Sequence, residues 1–389
     1  TFCQLFFMNI LTFATGNPNS IFLYKTQTAG IPKLNNQPLM KTFFKIIKIT
    51  LITIISIILS AFLYFYISNK FFLGSKKEEN IKYLSANKQV VDPGKNDIVF
   101  DDAFYSAKVI LLGEIHGFAD NQKLDKQLFL QLNKKTGLRH YIAEMDSNTA
   151  KILNAYLADS IKNEDRLKQV VQAISNRIPQ QSSIELFNKW SEIYDYNISL
   201  ADSLKLIVIG IDTDFNDTTN TSRDAAMIEN FKNAVKNHHL ENAQFYGLFG
   251  FFHVIQNQTA NGYESFATRL KKENFKTVSM VSYTLDSDMY LPKNPQFPTP
   301  EDEKVNWVNA DGPLFLVKGI NDLKAESTPN SITLFKLNNA GSPYLHSQYL
   351  LHMKSRLFGE SLEPQETSVT TDYFQYVFLL RNSKALTKL

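Results

Sequence analysis

Short apolar runs alternate with longer amphipathic segments over most of the chain. Apolar runs predict strands at residues 109–112, 139–145, 204–211, 244–252, 276–282 and 373–381. Runs of this length that end in glycine or polar residues are typical of strands buried on both faces of a sheet. Between the first two strands, residues 120–135 carry one apolar helical stripe, and residues 150–190 predict two or three helices that cover the sheet or form a cap. Strands that alternate with helices favour an α/β fold with a mostly parallel sheet flanked by helices and a helical insertion.

A different pattern precedes these strands. Three lysines, at 41, 45 and 48, lead into 19 uncharged residues, 49–67. This matches the roughly 20 helical residues that cross a bilayer, and it exceeds the apolar core of a cleavable signal peptide, about 7–15 residues. We therefore predict a transmembrane signal anchor at 40–72, in preference to a cleaved signal or a buried helix. The lysines indicate a cytoplasmic N-terminus and an extracytoplasmic domain, in the periplasm or at the cell surface, although lysines at 70, 76 and 77 reduce the bias.

The anchor divides the chain into segments. Residue 1 is Thr, and Met40 is followed at once by the targeting pattern, so we expect residues 1–39 to be an upstream extension. Residues 73–97 are polar and charged and predict a linker. The folded α/β domain is then expected at 98–389.

Composition excludes some classes of function. The 389 residues suffice for one large domain or two smaller ones, and 44% hydrophobic content is typical of a globular protein. The net charge of +3 arises from six lysines in residues 1–75, which hold no Asp or Glu; the remainder has 35 basic and 38 acidic residues. No clustered basic face is indicated, so a nucleic-acid partner is not expected. The single cysteine, Cys3, excludes disulfides within the chain and Cys-ligated metal clusters.

Titratable residues stand where several predicted strands end. The run VILLGEIHG at 109–117 places Glu114 and His116 after the first strand, and Glu144, Asp212 and His253 follow three others. The carboxyl ends of parallel strands meet at one edge of a sheet, where α/β proteins bind ligands. A carboxylate and an imidazole two residues apart can share a proton, a water or a metal ion. The sequence therefore predicts one site at this edge.

Taken in order, the motifs resemble the erythromycin esterase/ChaN-like superfamily, which includes the TraB and Tiki proteins. The matching pieces are GEIHG at 113–117, IAE at 142–144, IGID at 209–212, RDAAM at 223–227 and GFFH at 250–253. The resemblance runs from residue 109 to the C-terminus. It implies a site built from Glu114, His116, Glu144, Arg223 and His253, with Asp212 nearby. The chain lacks the tryptophan- and glycine-rich surroundings of macrolide-inactivating members, which argues against macrolide substrates.

Esterase-type members hydrolyse a macrolactone with a water activated by histidine, and this implies the leading hypothesis. In it, His116 takes a proton from water that attacks an ester, lactone or amide carbonyl of a small-molecule or peptide substrate. Glu114 and Glu144 orient His116, His253 acts as an acid or second base, and Arg223 stabilises the oxyanion. The role of Asp212 is left open between catalysis, helix capping and pairing with Arg223. The role of Arg223 is left open between catalysis and pairing with a buried glutamate.

Other members of the superfamily imply other uses of the same residues. Tiki-type members are metal-dependent proteases, and Glu114, His116, Glu144 and His253 are suitable ligands for Zn or Mn. ChaN-like members bind haem or iron, here with His116 or His253 as ligand. A degenerate, non-enzymatic member is a further alternative. The cofactor is therefore left open between none, a divalent metal and haem.

Overall fold

The computed structural model describes residues 37–214, 222–294, 299–356 and 361–389. Nearly all of the predicted extension 1–39 lies outside the described residues, as do residues 215–221, 295–298 and 357–360. The chain divides into two units, residues 1–61 and residues 62–389.

In chain order the helices are α1 (Gln37–Leu73), α2 (Glu78–Ala86), α3 (Asp102–Tyr105), α4 (Ala119–Thr136), α5 (Ser147–Ala158), α6 (Glu164–Ser175), α7 (Ile184–Ile198), α8 (Arg223–Asn237), α9 (Phe266–Lys272) and α10 (Ile320–Glu326). The strands are β1 (Lys88–Val91), β2 (Val109–Glu114), β3 (His140–Ala143), β4 (Ile207–Gly210), β5 (Phe245–Gly250), β6 (Thr277–Leu285), β7 (Met289–Tyr290), β8 (Lys304–Val305), β9 (Val308–Asn309), β10 (Gly312–Pro313), β11 (Phe315–Val317), β12 (Ile332–Lys336), β13 (Met353–Ser355) and β14 (Tyr376–Arg381).

Helix α1 supplies the described part of the first unit and continues into the second. From Met40 to Leu73 it has 34 residues, and its most apolar stretch of 18 residues has a mean hydropathy of 2.5 and no buried residues. The helix is therefore long and apolar enough to cross a membrane.

The second unit is built on an eight-stranded sheet with the order β1-β12-β14-β6-β2-β5-β3-β4. The six strands from β14 to β4 run parallel, and β12 is antiparallel to both of its neighbours. The mostly parallel α/β fold predicted from the alternating pattern is thereby confirmed.

Helices cover both faces of this sheet. Side chains alternate along a strand, so in β2 Ile110 and Leu112 join the core under α4 to α7, whereas Val109 and Leu111 join the core under α8 to α10. All four are at most 1% exposed. Burial on both faces explains why β2 reads as an unbroken apolar run.

All six strands predicted from apolar runs exist, with ends that differ by a few residues. The antiparallel edge pair β1 and β12 has no such run and was missed. Residues 73–97, predicted to be a linker, instead hold α2 and β1. Only Asn80 and Leu84 of α2 are buried, and β1 is an edge strand, so most side chains of the segment face solvent and the sequence looks polar.

Three two-stranded ribbons follow β6: β7 with β8, β9 with β10, and β11 with β13. The first ribbon contacts the loop at the carboxyl end of β2, because Tyr290 of β7 donates its N–H to the carbonyl of Gly117 (2.9 Å). These ribbons form one side of the cavity described below.

Candidate active site

The predicted site residues meet at the carboxyl edge of the sheet. Glu114 is the last residue of β2, Glu144 follows β3, Asp212 follows β4, and His253 lies in a 3₁₀ turn after β5. Since β2, β5, β3 and β4 are consecutive parallel neighbours, their ends deliver these side chains to one place.

The loop after β2 is held by groups from distant parts of the chain. Gly117 has φ of 102°, and a Cβ there would lie 2.6 Å from the carbonyl oxygen of Tyr290, so only glycine fits. The side chain of Asn121 donates to the carbonyl of Ile115 (3.2 Å), and Leu386 donates its N–H to Gly117 (3.0 Å). The C-terminal tail thus fixes the loop that carries His116.

His116 is bound to a buried carboxylate. Its Nδ1 lies 2.9 Å from Oε1 of Glu114, which is 1% exposed. Gln181, from the turn before α7, donates its Nε2 to the same oxygen (2.6 Å) and lies 3.0 Å from the imidazole Nδ1. A carboxylate oxygen can only accept a hydrogen bond, so the contact with Glu114 places the proton on Nδ1 of His116 and leaves Nε2 as the basic nitrogen.

Arg223, the first residue of α8, joins two buried acids. Its Nε donates to both oxygens of Asp212 (2.9 and 3.1 Å) and its Nη2 donates to Oε1 of Glu144 (2.7 Å) and to Asp212. The other oxygen of Glu144 accepts the N–H of Gly250 (2.6 Å). The guanidinium is therefore fixed, as expected of a bidentate arginine–carboxylate pair. Both pairings left open from the sequence are present.

His253 is bound on both ring nitrogens. Nδ1 lies 2.7 Å from Oδ1 of Asp224, and Nε2 lies 3.2 Å from Nη1 of Arg223. Asp224 also accepts the hydroxyl of Tyr263 (2.9 Å) and the N–H of Phe266 (2.7 Å). With Nδ1–H donated to Asp224, Nε2 of neutral His253 accepts from the arginine.

The two imidazoles flank Gly250. A Cβ on this glycine would lie 3.2 Å from Nε2 of His116 and 3.5 Å from Cδ2 of His253. Both histidines line a cavity of about 560 Å³, together with Glu114, Glu144, Arg223 and Asp224. Cavities of this size accept a small organic molecule or part of a larger one.

The acids around the cavity shift the protonation of the histidines. Burial acts to lower the pKa of His116, but the hydrogen bond and charge of Glu114 and the charge of Glu144 raise it above its usual value. The pKa of His253 is also raised, against its burial, by Glu144 and Asp224. Burial acts to raise the pKa of Glu144, but His253, His116 and Arg223 hold it below the usual glutamate value.

The two histidines therefore have different chemical uses. Nε2 of His116 has no hydrogen-bond partner among the described residues and borders the cavity. Nε2 of His253 already accepts from Arg223. Only His116 presents a free basic nitrogen to a water molecule in this arrangement.

The residues do not fit a divalent metal in this arrangement. Within the described ranges, no group of three or more His, Cys, Asp or Glu side chains is arranged to hold one. The physical reason is that the guanidinium of Arg223 lies within hydrogen-bond distance of Asp212, Glu144 and His253, so a fixed cation already occupies the space among these donors. A metal ion there would be repelled by this charge.

Haem fits poorly for a related reason. Its two propionates are anions, and among the described lining residues Arg223 is the one Lys or Arg, with its charge already balanced by two carboxylates. The arrangement of the site residues thus favours neither the divalent metal of the Tiki-like members nor the haem of the ChaN-like members.

Three site residues were not chosen from the sequence. Gln181 lies 65 positions from His116, in a turn of the helical insertion. Asp224 stood within the RDAAM motif but received no role, and Tyr263 lies in a segment without a motif. The adjacency of Asp224 to Arg223 was an available signal, because consecutive polar residues at a helix start can both reach a ligand site. For Gln181 and Tyr263 no sequence signal existed.

No protein-family model and no curated protein sequence matches the chain. Solved structures with a similar fold include a protein from Bacillus cereus (12% identity, TM-score 0.59, covering 81% of this chain and 100% of that one). A succinoglycan biosynthesis protein follows (11%, TM-score 0.55, 80% and 98%). A mutant of the erythromycin esterase EreC in its open conformation also matches (10%, TM-score 0.42, 72% and 92%). At these identities the likeness to the first two structures extends to the fold alone.

Proposed function

We propose that the chain is a membrane-anchored hydrolase in which His116 activates water to attack an ester, lactone or amide carbonyl. One observation carries the proposal. The Nδ1 of His116 is tied to buried Glu114, while its Nε2 borders the cavity without a partner among the described residues. This is the arrangement that a general base needs: a fixed tautomer, a raised basicity and access to water.

In the proposed reaction, Nε2 of His116 takes one proton from water as the water oxygen bonds to the carbonyl carbon. The imidazolium formed is stabilised by Glu114, whose second oxygen is buried without a hydrogen-bond partner among the described residues. Gln181 holds Glu114 in place through its 2.6 Å hydrogen bond. Burial makes these charges more effective than they would be in water.

Arg223 and His253 act on the other side of the carbonyl. Nη1 of Arg223 has two N–H groups, and among the described residues one of them donates to His253. The other can donate to the carbonyl oxygen as this oxygen gains negative charge. His253 donates Nδ1–H to Asp224 and accepts from Arg223 at Nε2, so its part is to hold Nη1 of Arg223 in place. The proton taken up by Nε2 of His116 passes to the departing oxygen or nitrogen as the bond to the carbonyl carbon breaks. Asp212 holds the guanidinium and is a positioning residue in this scheme.

The location follows from the anchor. Helix α1 is long and apolar enough to cross a membrane, and lysines precede the uncharged stretch 49–67. By the positive-inside rule this orientation leaves the hydrolase domain outside the cytoplasm, at the surface or in the periplasm of a bacterium.

The test uses the full chain purified in detergent, with panels of fluorogenic esters, lactones and peptides. We expect turnover that His116→Ala reduces by about 10²- to 10⁴-fold. His238→Ala, an exposed histidine on α8's C-cap, is the matched control and should retain full activity. EDTA should leave the rate unchanged. Loss of activity with EDTA would indicate the metal-dependent peptidase, and a Soret band with no turnover would indicate the haem-binding alternative.

A further inference from the structure

The last part of α1 belongs to the folded unit and packs on it through one face. Residues 62–73 fall in the second unit. The partly buried positions recur at intervals of three and four, whereas Tyr66 and Phe71 between them are 67% and 83% exposed. The partly buried positions are Phe65, Ser68, Asn69, Phe72 and Leu73. Such spacing defines one stripe of a helix.

Polar contacts fix this stripe. Asn69 donates its Nδ2 to the carbonyl of Pro313 (2.9 Å). Arg356 donates Nε to Oδ1 of Asn69 (3.1 Å) and Nη2 to the hydroxyl of Ser68 (2.8 Å), and its guanidinium lies 5.0 Å from the ring centre of Phe65. The end of the helix is therefore seated on the domain and is not a flexible tether.

These contacts occur where the apolar span ends. The uncharged stretch ends at residue 67, and Asn69 lies about 3 Å further along the helix axis at 1.5 Å per residue. Tyr64 and Tyr66, both exposed, belong to the aromatic type that lies at membrane interfaces. If α1 spans the bilayer, Arg356 lies at the level of the lipid headgroups.

One strand separates this level from the cavity. Ser355 of β13 lines the cavity, and the next residue, Arg356, binds the helix. Successive residues of an extended chain point to opposite sides, and their Cα atoms are about 3.8 Å apart. Phe315 of β11 pairs with Ser355 and lines the cavity as well.

The cavity has an apolar wall on this side and charged groups on the other. Val308, Phe315 and Met353 come from the ribbons that receive the helix, whereas His116 comes from the loop after β2 and Arg223 from the start of α8. We infer that the substrate is an amphiphile carried by the membrane, an ester whose hydrocarbon part lies along the apolar wall while its carbonyl reaches His116. The inference rests on the proposed hydrolase function and names the substrate class for that site.

The experiment uses the full chain reconstituted in phosphatidylcholine vesicles and two fluorogenic esters of one alcohol. 4-Methylumbelliferyl butyrate is supplied in solution, and 4-methylumbelliferyl oleate is embedded in the vesicles. Asn69→Ala and Arg356→Gln each remove contacts that seat the helix, and neither residue belongs to the catalytic group. Lys70→Ala, an exposed neighbour on the same helix, is the matched control. Circular dichroism and thermal melting verify the fold of each variant.

We expect wild type to hydrolyse both esters, with the higher kcat/KM for the oleate. In Asn69→Ala and in Arg356→Gln, kcat/KM for the oleate should fall roughly tenfold, because the site is no longer held close to the vesicle surface that carries this ester. The kcat/KM for the butyrate should stay unchanged. Butyrate hydrolysis without oleate hydrolysis, or equal loss on both esters, overturns the inference and leaves the hydrolase standing. Hydrolysis of neither ester overturns both.

Discussion

Replacing Glu114 by glutamine tests the proposed general base directly. The side chain is 1% exposed and accepts from Nδ1 of His116 (2.9 Å) and Nε2 of Gln181 (2.6 Å). Glutamine keeps the size and one carbonyl oxygen but removes the charge, so the cavity is not enlarged. The substitution therefore isolates the electrostatic contribution of this carboxylate.

The magnitude follows from the hydrogen bond that His116 makes in the transition state. A hydrogen bond to a charged partner contributes about 1.5–3 kcal/mol, whereas a neutral one contributes about 0.5–1.5 kcal/mol. Burial of Glu114 favours the upper end of the range, and the imidazolium also loses its counterion. A loss of about 2–3 kcal/mol from the transition state corresponds to about 30- to 160-fold in kcat/KM.

The pH profile supplies a second readout with a definite sign. Glu114 raises the pKa of His116, and a general base acts only when it is neutral, so kcat/KM rises with pH through that pKa. Without the charge the pKa falls, and the acid limb should move to lower pH while the plateau drops.

The assay is kcat/KM for the best ester of the panel between about pH 5 and 9. Glu192→Gln, an exposed glutamate paired with Lys126, is the control and should leave rate and profile unchanged, because surface pairs contribute about 0–1 kcal/mol. An acid limb that stays in place or moves to higher pH would refute the reasoning, as would an unchanged plateau.

Three further predictions concern packing and buried charge. Gly250→Ala places a methyl group 3.2 Å from Nε2 of His116, so kcat/KM should fall while the free energy of unfolding changes by only about 1–3 kcal/mol; unchanged kinetics would contradict the position of the imidazole. Lys189→Met removes the amine 2.7 Å from fully buried Asp125, and breaking such a buried pair costs about 3–5 kcal/mol. Denaturant titration should show that the free energy of unfolding falls by about 3 kcal/mol, the lower end of this range, because two tyrosine hydroxyls still donate to the carboxylate. Glu144 has a lowered pKa when folded, so its stabilisation is present above the usual glutamate range and lost as the pH falls through the folded value; thermal melting of Glu144→Gln should depend less on acid than that of wild type.

The resemblance and the geometry contribute different parts of the functional argument. The motif order resembles that of a superfamily whose members differ in chemistry. Among the described residues, the guanidinium of Arg223 between Asp212 and Glu144 favours the histidine-based reaction over a metal centre. The choice between these two reactions therefore depends on whether an arginine or a metal ion lies among the acidic side chains. The sequence motifs do not specify which of the two it is.

Local patterns in the sequence determined the sheet and the residues at its edge. An unbroken apolar run such as β2 predicts a strand buried on both faces, and parallel strands carry their carboxyl ends to one edge. This reasoning placed Glu114, His116, Glu144 and His253 together before any contact was known. It could do so because strand burial and side-chain period are properties of neighbouring residues.

Only the tertiary structure decided which partner each of these groups has. Gln181 reaches Glu114 across 67 positions, and Arg356 reaches Asn69 across 287. The segment 73–97 has the composition of a linker because its short helix and edge strand expose most of their side chains. The strand β1 exists only because it pairs with β12, more than 200 residues further along the chain. Contacts of this kind arise from packing between distant elements, which local hydrophobic periodicity does not encode.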